Sequence, residues 1–280
     1  MKIVSPYDAE SRYCQKLTTS SRKEWCGYRD HLTETCGEEP HVIVQVATRP
    51  APEQDIDALL QIHQRLVRQG FADLEHFVDA GYITPESIDQ AACLHNVVLT
   101  GPVRADPRAR EHPGFAKADF TPDWDARTLT CPRNVTTHPW KVTRDDRHER
   151  LSVLFPKPAC RACEARQECT GNTEGRGRHI MLLPQPLQEI QTRVRREQDK
   201  WWQHYAIRVG CEATVSETVQ VHGLRHCRYR GMAKSHVQHV LIAAGTNIIR
   251  LSERFLPGTS PPEPSRPESR LHRLCRTLPA

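Results

Sequence analysis

Tyr205, Arg208 and Glu212 stand three and four residues apart in the stretch 201–234, WWQHYAIRVGCEATVSETVQVHGLRHCRYRGMAK. On a helix such spacings stack side chains on one face, so a phenol, a guanidinium and a carboxylate would share a surface. An Arg can hold a phosphate bidentately and a Glu can hold a divalent cation, a combination suited to chemistry on a phosphodiester. The plainer reading makes Arg208 and Glu212 a surface ion pair worth about 0.2–0.5 kcal/mol.

A second carboxylate, Asp79, falls where the apolar stretch HFVDAGY would end as a strand. Open α/β sheets bind ligands at the carboxyl ends of their strands, which makes Asp79 a candidate metal ligand; an Asp shortly before a Gly is also a common turn former. Paired with Glu212 it suggests a Mg²⁺ site, since two such ions activate the attacking oxygen and stabilise the leaving one in phosphoryl transfer. Two carboxylates make a thin cage for two ions. A third is expected, and the sequence offers no clear one.

Thiols form the next constellation. Cys160-x2-Cys163-x5-Cys169, with Cys131 upstream in TCP, supplies the four sulfurs that tetrahedral structural zinc requires. An iron–sulfur cluster and unmetallated thiols are the alternatives. Four thiolates leave no open position, so the metal would hold together a segment with little core. Cys14, Cys26, Cys36, Cys93, Cys211, Cys227 and Cys275 read as small hydrophobes or exposed singles. The pairs His222/His226 and His236/His239 have ligand spacing, but no acid accompanies them, and they read as polar-face residues. Trp201 and Trp202 read as core packing before base stacking. Arg225, Arg228, Arg230 and Lys234 form a basic run that is either a solvated face or a phosphate track beside the acidic site.

The chain has 280 residues, with 39 Lys+Arg against 34 Asp+Glu. Mean hydropathy is -0.63. That permits a polyanionic partner without demanding one, and the uneven placing of the bases favours a nucleic-acid-facing side. MKIVSPYDAES lacks a signal-like apolar run, and the stretch near 237–249 is too short to span a bilayer, so a cytoplasmic protein with no membrane partner is expected. An odd count of 11 cysteines argues against a disulfide framework.

Residues 1–24 read as loop. Residues 25–33 and 41–48 read as an antiparallel strand pair, and 55–69 as a helix capped by Asp55 and closed by Gly70. A short strand ends at Asp79, a helix follows near 85–94, and NVVLTGP is another buried strand. That order is α/β, with a mixed sheet and helices on its faces. Pro and Arg are dense over 104–184, where apolar runs are short and four cysteines appear, predicting a β-rich insertion. Residues 185–222 read as helical with Gly210 a weak point. A last helix over 233–254 carries Val237, Val240, Leu241, Ala244, Ile248 and Leu251 as an apolar face. The Pro- and Ser-rich 257–280 reads as a disordered tail.

WCGYRDHLTETC, HFVDAGY, LTGPVRAD, DWDARTLTCP, CRACEARQECT, YAIRVGCEATVSE and HGLRHCRYRGMAKSHVQHVLIAAGTNIIRL occur in this order. The chain thereby resembles the C-terminal part of DDE-type transposases of bacterial insertion sequences, over about residues 3–256. The resemblance implies an RNase H-like core in which three carboxylates bind two Mg²⁺ ions, cut the element's ends and join the 3′-hydroxyl to target DNA, in a homo-oligomer. Asp79 matches the second Asp, and Glu212, in the Tyr-x2-Arg-x3-Glu pattern with Tyr205 and Arg208, matches the Glu.

Similar chains carry the first Asp on a strand upstream of the SPYD segment, where this one begins. The expectation is therefore a truncated core, lacking that strand and catalytically silent alone. The basic residue frequent further along is replaced around Val219, Gln220 and Val221, and Asp30 stands where an apolar strand residue is usual. The expected layout is 1–103 as the front of the core, 104–184 as the insertion, 185–256 as C-terminal helices and 257–280 as tail. The alternative function is a zinc-stabilised DNA-binding or inhibitory remnant; a divergent nuclease of the same fold is a third.

Overall fold

The computed structural model describes residues 5–17, 22–37, 40–104, 106–144, 149–171 and 177–255; the expected tail lies outside them. The α/β class holds. The chain divides into two compact units, described separately: one holds the described parts of 1–11, 30–48 and 210–280, the other those of 12–29 and 49–209.

Three strands, β1 (Arg12–Leu17), β2 (Arg22–Glu34) and β3 (Ile43–Pro50), lie side by side in that order. β1 corrects the reading of 1–24 as loop: it pairs antiparallel with β2, Tyr13 opposite Cys26 and Gln15 opposite Glu24. RYCQKL lacks an apolar face, so alternation could not reveal it.

Helix α1 (Asp55–Arg68) buries Leu59, Ile62, His63 and Leu66 on one stripe. Its N-cap is Gln54 rather than Asp55. Asp55 instead takes Arg29, Nη1 to Oδ1 at 2.6 Å. After α1 comes β4 (Glu75–Phe77), then α2 (Pro85–His95), then β5 (Val98–Thr100), which pairs parallel with β4. Thr84 caps α2 by accepting the Ser87 N–H at 3.1 Å, Pro85 pre-sets the first turn, and Asn96 ends the helix in the left-handed region at φ 53°. Leu59, Val78, Ile83, Ala91, Val97 and Leu99 form the core beneath these elements.

The segment 104–184 is built from short pieces: α3 (Pro107–Glu111), the hairpin β6 (Thr121–Asp123) and β7 (Thr128–Thr130), then β8 (Lys141–Arg144), β9 (Glu149–Leu154), α4 (Lys157–Arg161), α5 (Arg166–Thr170) and β10 (His179–Leu182). The strands β10-β9-β8 form an antiparallel sheet. Phe120, Leu129, Leu151, Val153, Phe155, Ile180 and Leu182 pack over it as a core of their own. The insertion is thus not coreless.

The long late helix is broken. α6 (Gln185–Tyr205) ends in a 3-10 turn over Ala206–Arg208 before α7 (Val209–Gln220) begins. The weak point lies just before Gly210, and Tyr205, Arg208 and Glu212 do not share one uninterrupted α-helix.

α8 (Met232–Phe255) reverses its expected orientation. Its buried side chains include Ser235, Gln238, His239 and Thr246, whereas Val237, Leu241 and Ile248 are 54%, 62% and 67% exposed. The polar face is held by specific partners. Asn247 takes the Ile43 N–H on Oδ1 and donates to the Ile43 carbonyl, both at 2.8 Å. Asp8 and Glu10 accept the N–H groups of Gly231 and Met232 at 3.0 and 2.7 Å, acids placed at the positive end of the helix. His239 does have an acid after all: Nδ1 is 3.4 Å from Asp30 Oδ1 and 2.8 Å from Thr48 Oγ1. Asp30, odd for a strand interior, is therefore a buried partner of α8.

Candidate functional site

Asp79 follows β4 by two residues. Its carbonyl accepts the Tyr82 N–H at 2.9 Å, closing a turn, while its side chain, 60% exposed, takes Arg208 Nη1 on Oδ1 at 3.0 Å. The turn reading and the site reading therefore describe different atoms of one residue. Arg208 also lies over the Tyr205 ring, 6.0 Å from its centroid. Tyr205 donates its hydroxyl to the Val78 carbonyl at 3.0 Å and so fastens the end of α6 to the residue before Asp79. His204 adds a contact to Glu75 Oε2 at 2.9 Å.

This junction tolerates no extra bulk. A Cβ on Gly101 would run into the Val78 carbonyl oxygen and would meet Ile83 Cγ1 at 2.8 Å. Gly101→Ala is expected to lower stability by about 1–3 kcal/mol through overpacking and to loosen the Asp79 turn. Equilibrium unfolding, with hydrogen exchange of the Val78 N–H that bonds the Thr100 carbonyl at 2.9 Å, checks both parts.

Beneath the junction lies a histidine pair that the sequence did not reveal. His63 on α1 and His76 on β4 face each other, Nε2 to Nδ1 at 3.1 Å. Burial lowers His63 to about 4 and His76 to about 3, with His95 pushing the first, and His63 and Arg208 the second, the same way. Both rings are neutral in the fold and take up protons more readily when unfolded. Stability from this pair is full above about pH 6.5 and falls as pH drops toward 4 and 3. Replacing both by apolar residues should flatten that part of a stability-against-pH curve.

Glu212 stands exposed in the first turn of α7, in the other unit. The seat of α7 there is firm. Thr214 and Thr218 are buried, and Arg250 of α8 reaches Thr214 Oγ1 at 2.7 Å and Glu217 Oε2 at 2.9 Å. In the same unit Arg225, Arg228, Arg230 and Lys234 are all exposed, and Arg230 lies over the Tyr7 ring at 5.5 Å. Trp202 is 56% exposed, against the expectation of core packing.

Residues 130–252 match the family model described as transposase DDE domain. That stretch is similar to transposase DDE domains. The matched stretch takes in Glu212, Arg208, Tyr205 and the four clustered cysteines. No curated protein and no solved structure matches the chain. No helix among the described residues is long and apolar enough to cross a membrane.

As donors, an exposed Asp79 and an exposed Glu212 suit Mg²⁺, which favours carboxylate oxygen. Among the described residues no three His, Cys, Asp or Glu side chains are grouped closely enough to hold a metal ion. Cys131, Cys160, Cys163 and Cys169 are free thiols that line one small cavity of about 30 Å³. Burial pushes the Cys169 thiol above its ordinary value.

Proposed function

We propose that this chain is part of an insertion-sequence transposase, with an RNase H-like core that contributes Asp79 and Glu212 as metal-holding carboxylates for cutting and joining DNA. The observation that carries the reading is the ion pair between Asp79 and Arg208, 3.0 Å. It ties the acid after β4 to the Tyr-x2-Arg-x3-Glu pattern inside the family match. Bound magnesium would activate the attacking oxygen and stabilise the leaving one.

The chain's own residues do the positioning. Arg208 neutralises Asp79 until the carboxylate is engaged, and its fork can then take a phosphate oxygen pair. Tyr205 fixes the Val78 carbonyl and with it the aim of Asp79. Arg225, Arg228, Arg230 and Lys234 track the DNA backbone. The complete protein works as an oligomer in the cytoplasm. Among the described residues no three carboxylates are grouped closely enough to hold a metal ion, so the chain as it stands is expected to bind DNA without cutting it.

The purified chain, incubated with terminal inverted-repeat DNA and Mg²⁺, is expected to bind without nicking. Nicking abolished by Glu212→Gln would contradict the silence of the isolated chain. Binding should weaken with salt, and replacing all four basic residues by Gln should reduce the slope of log affinity against log salt by about 3–4. An unchanged slope would take those residues off the DNA.

A further inference from the structure

We propose that the cleft between α1 and α2 binds a nucleobase that carries an exocyclic amine, taken either as a free nucleoside or as a base of a single strand. The cleft encloses about 430 Å³ within one compact unit, in the size range of small-molecule sites. Neither Asp79, Tyr205 nor Arg208 lines it, and the proposal does not rest on the metal-holding role given to Asp79 and Glu212.

Its walls first offer a place for a flat ring. Leu59 of α1 and Ala91 of α2, 4% and 1% exposed, supply an apolar floor. His63 and His95 add two imidazoles from the same two helices, their ring centroids 5.8 Å apart. His63 is buried and lowered to about 4, so its ring is uncharged at neutral pH. Bases stack on such rings.

Charge then narrows the class. Imidazoles aside, the lining carries Asp57 and Glu86 against Arg150, whose Nη1 lies 2.9 Å from Glu86 Oε1. The formal balance is one negative charge, which disfavours phosphate in the cleft and favours N–H donors. Asp57 is held at the wall by the Gln54 N–H, 3.0 Å from Oδ2, and an ionised carboxylate has lone pairs for several donors. Gln90 adds an amide on the α2 side. Carboxylate and amide side chains are the partners that the amines of cytosine and adenine take. An aliphatic amine would satisfy the acid but leave the floor uncovered; a base does both.

A second observation points to a ligand independently. His95 Nε2 is buried and has no hydrogen-bond partner among the described residues. Leaving such an atom unmet costs about 1–3 kcal/mol, and a ring nitrogen or amine of a base would meet it.

The test is calorimetric titration of the full chain with cytidine, adenosine, guanosine, thymidine and uridine. The first three are expected to bind at millimolar concentration or below, and thymidine and uridine, which lack the amine, about fivefold or more weaker. Asp57→Asn and His95→Ala, shown to be folded by thermal unfolding, should each weaken cytidine binding about fivefold or more. A short single-stranded oligodeoxycytidylate that displaces cytidine supports a strand base as ligand; one that does not supports the free nucleoside. No nucleoside binding to the wild-type chain at millimolar concentration, equal binding of all five, or binding of spermidine or inorganic phosphate alone would overturn the proposal, whatever the variants do.

Discussion

Replacing Arg250 by alanine is expected to lower the unfolding free energy by about 3–5 kcal/mol, the cost of removing one partner from a buried ion pair. Arg250 reaches Glu34 Oε2 at 3.4 Å, Glu217 Oε2 at 2.9 Å, Thr214 Oγ1 at 2.7 Å and the His41 carbonyl at 2.9 Å. The side chain of Glu34 is 6% exposed, and its carboxylate also accepts the Thr214 hydroxyl at 2.5 Å. Alanine would leave that carboxylate buried without its cation and would free α7, which carries Glu212. Lysine keeps the charge but loses the fork, so an intermediate loss is expected for Arg250→Lys. Urea or thermal unfolding of the three proteins checks the order. A loss below about 1 kcal/mol for the alanine variant would place Arg250 among ordinary surface pairs.

Phe155→Ala should cost a similar amount, about 3–5 kcal/mol, for a different reason: the lost transfer energy and the cavity left behind. Phe155 is 1% exposed, with Leu129 and Val153 at 0% and Ile180 at 2% in the same cluster. Its ring lies 5.6 Å from that of Phe120. The backbone here is close-packed as well, since a Cβ on Gly177 would run into the Phe155 carbonyl. Phe155 also lines the four-cysteine cavity. Denaturant unfolding followed by tryptophan emission is a suitable readout, since Trp124 and Trp140 pack against this cluster.

Much of the fold was legible wherever apolar side chains repeat. α1 and α2 fall within a residue or two of the spans read from spacing, and β4 and β5 flank α2 as their apolar runs indicated. β1 was not legible, because a polar edge strand is specified by the strand beside it. The face of α8 misled for a related reason. A stripe of Val, Leu and Ile shows where a helix is apolar, but Thr48, Ile43 and Glu34 give His239, Asn247 and Arg250 enough partners to bury the other face. The local pattern around Glu212 was visible in sequence. The pairing of Arg208 with Asp79 was not, since an Arg three residues after a Tyr and four before a Glu advertises its helical neighbours and not a distant turn. The His63–His76 contact was hidden likewise, each ring reading alone as an isolated polar residue.

The most direct test of the central claim, that Asp79 and Glu212 are divalent-metal ligands, is metal-directed cleavage of the protein's own backbone. Fe²⁺ is bound in place of Mg²⁺, ascorbate and peroxide are added, and the fragment ends are mapped. Cuts clustered near residues 79 and 212, suppressed by excess Mg²⁺ and weakened by Asp79→Asn and Glu212→Gln, are the expected result. Cuts elsewhere only, or cuts at both places that neither Mg²⁺ nor the substitutions diminish, would contradict it.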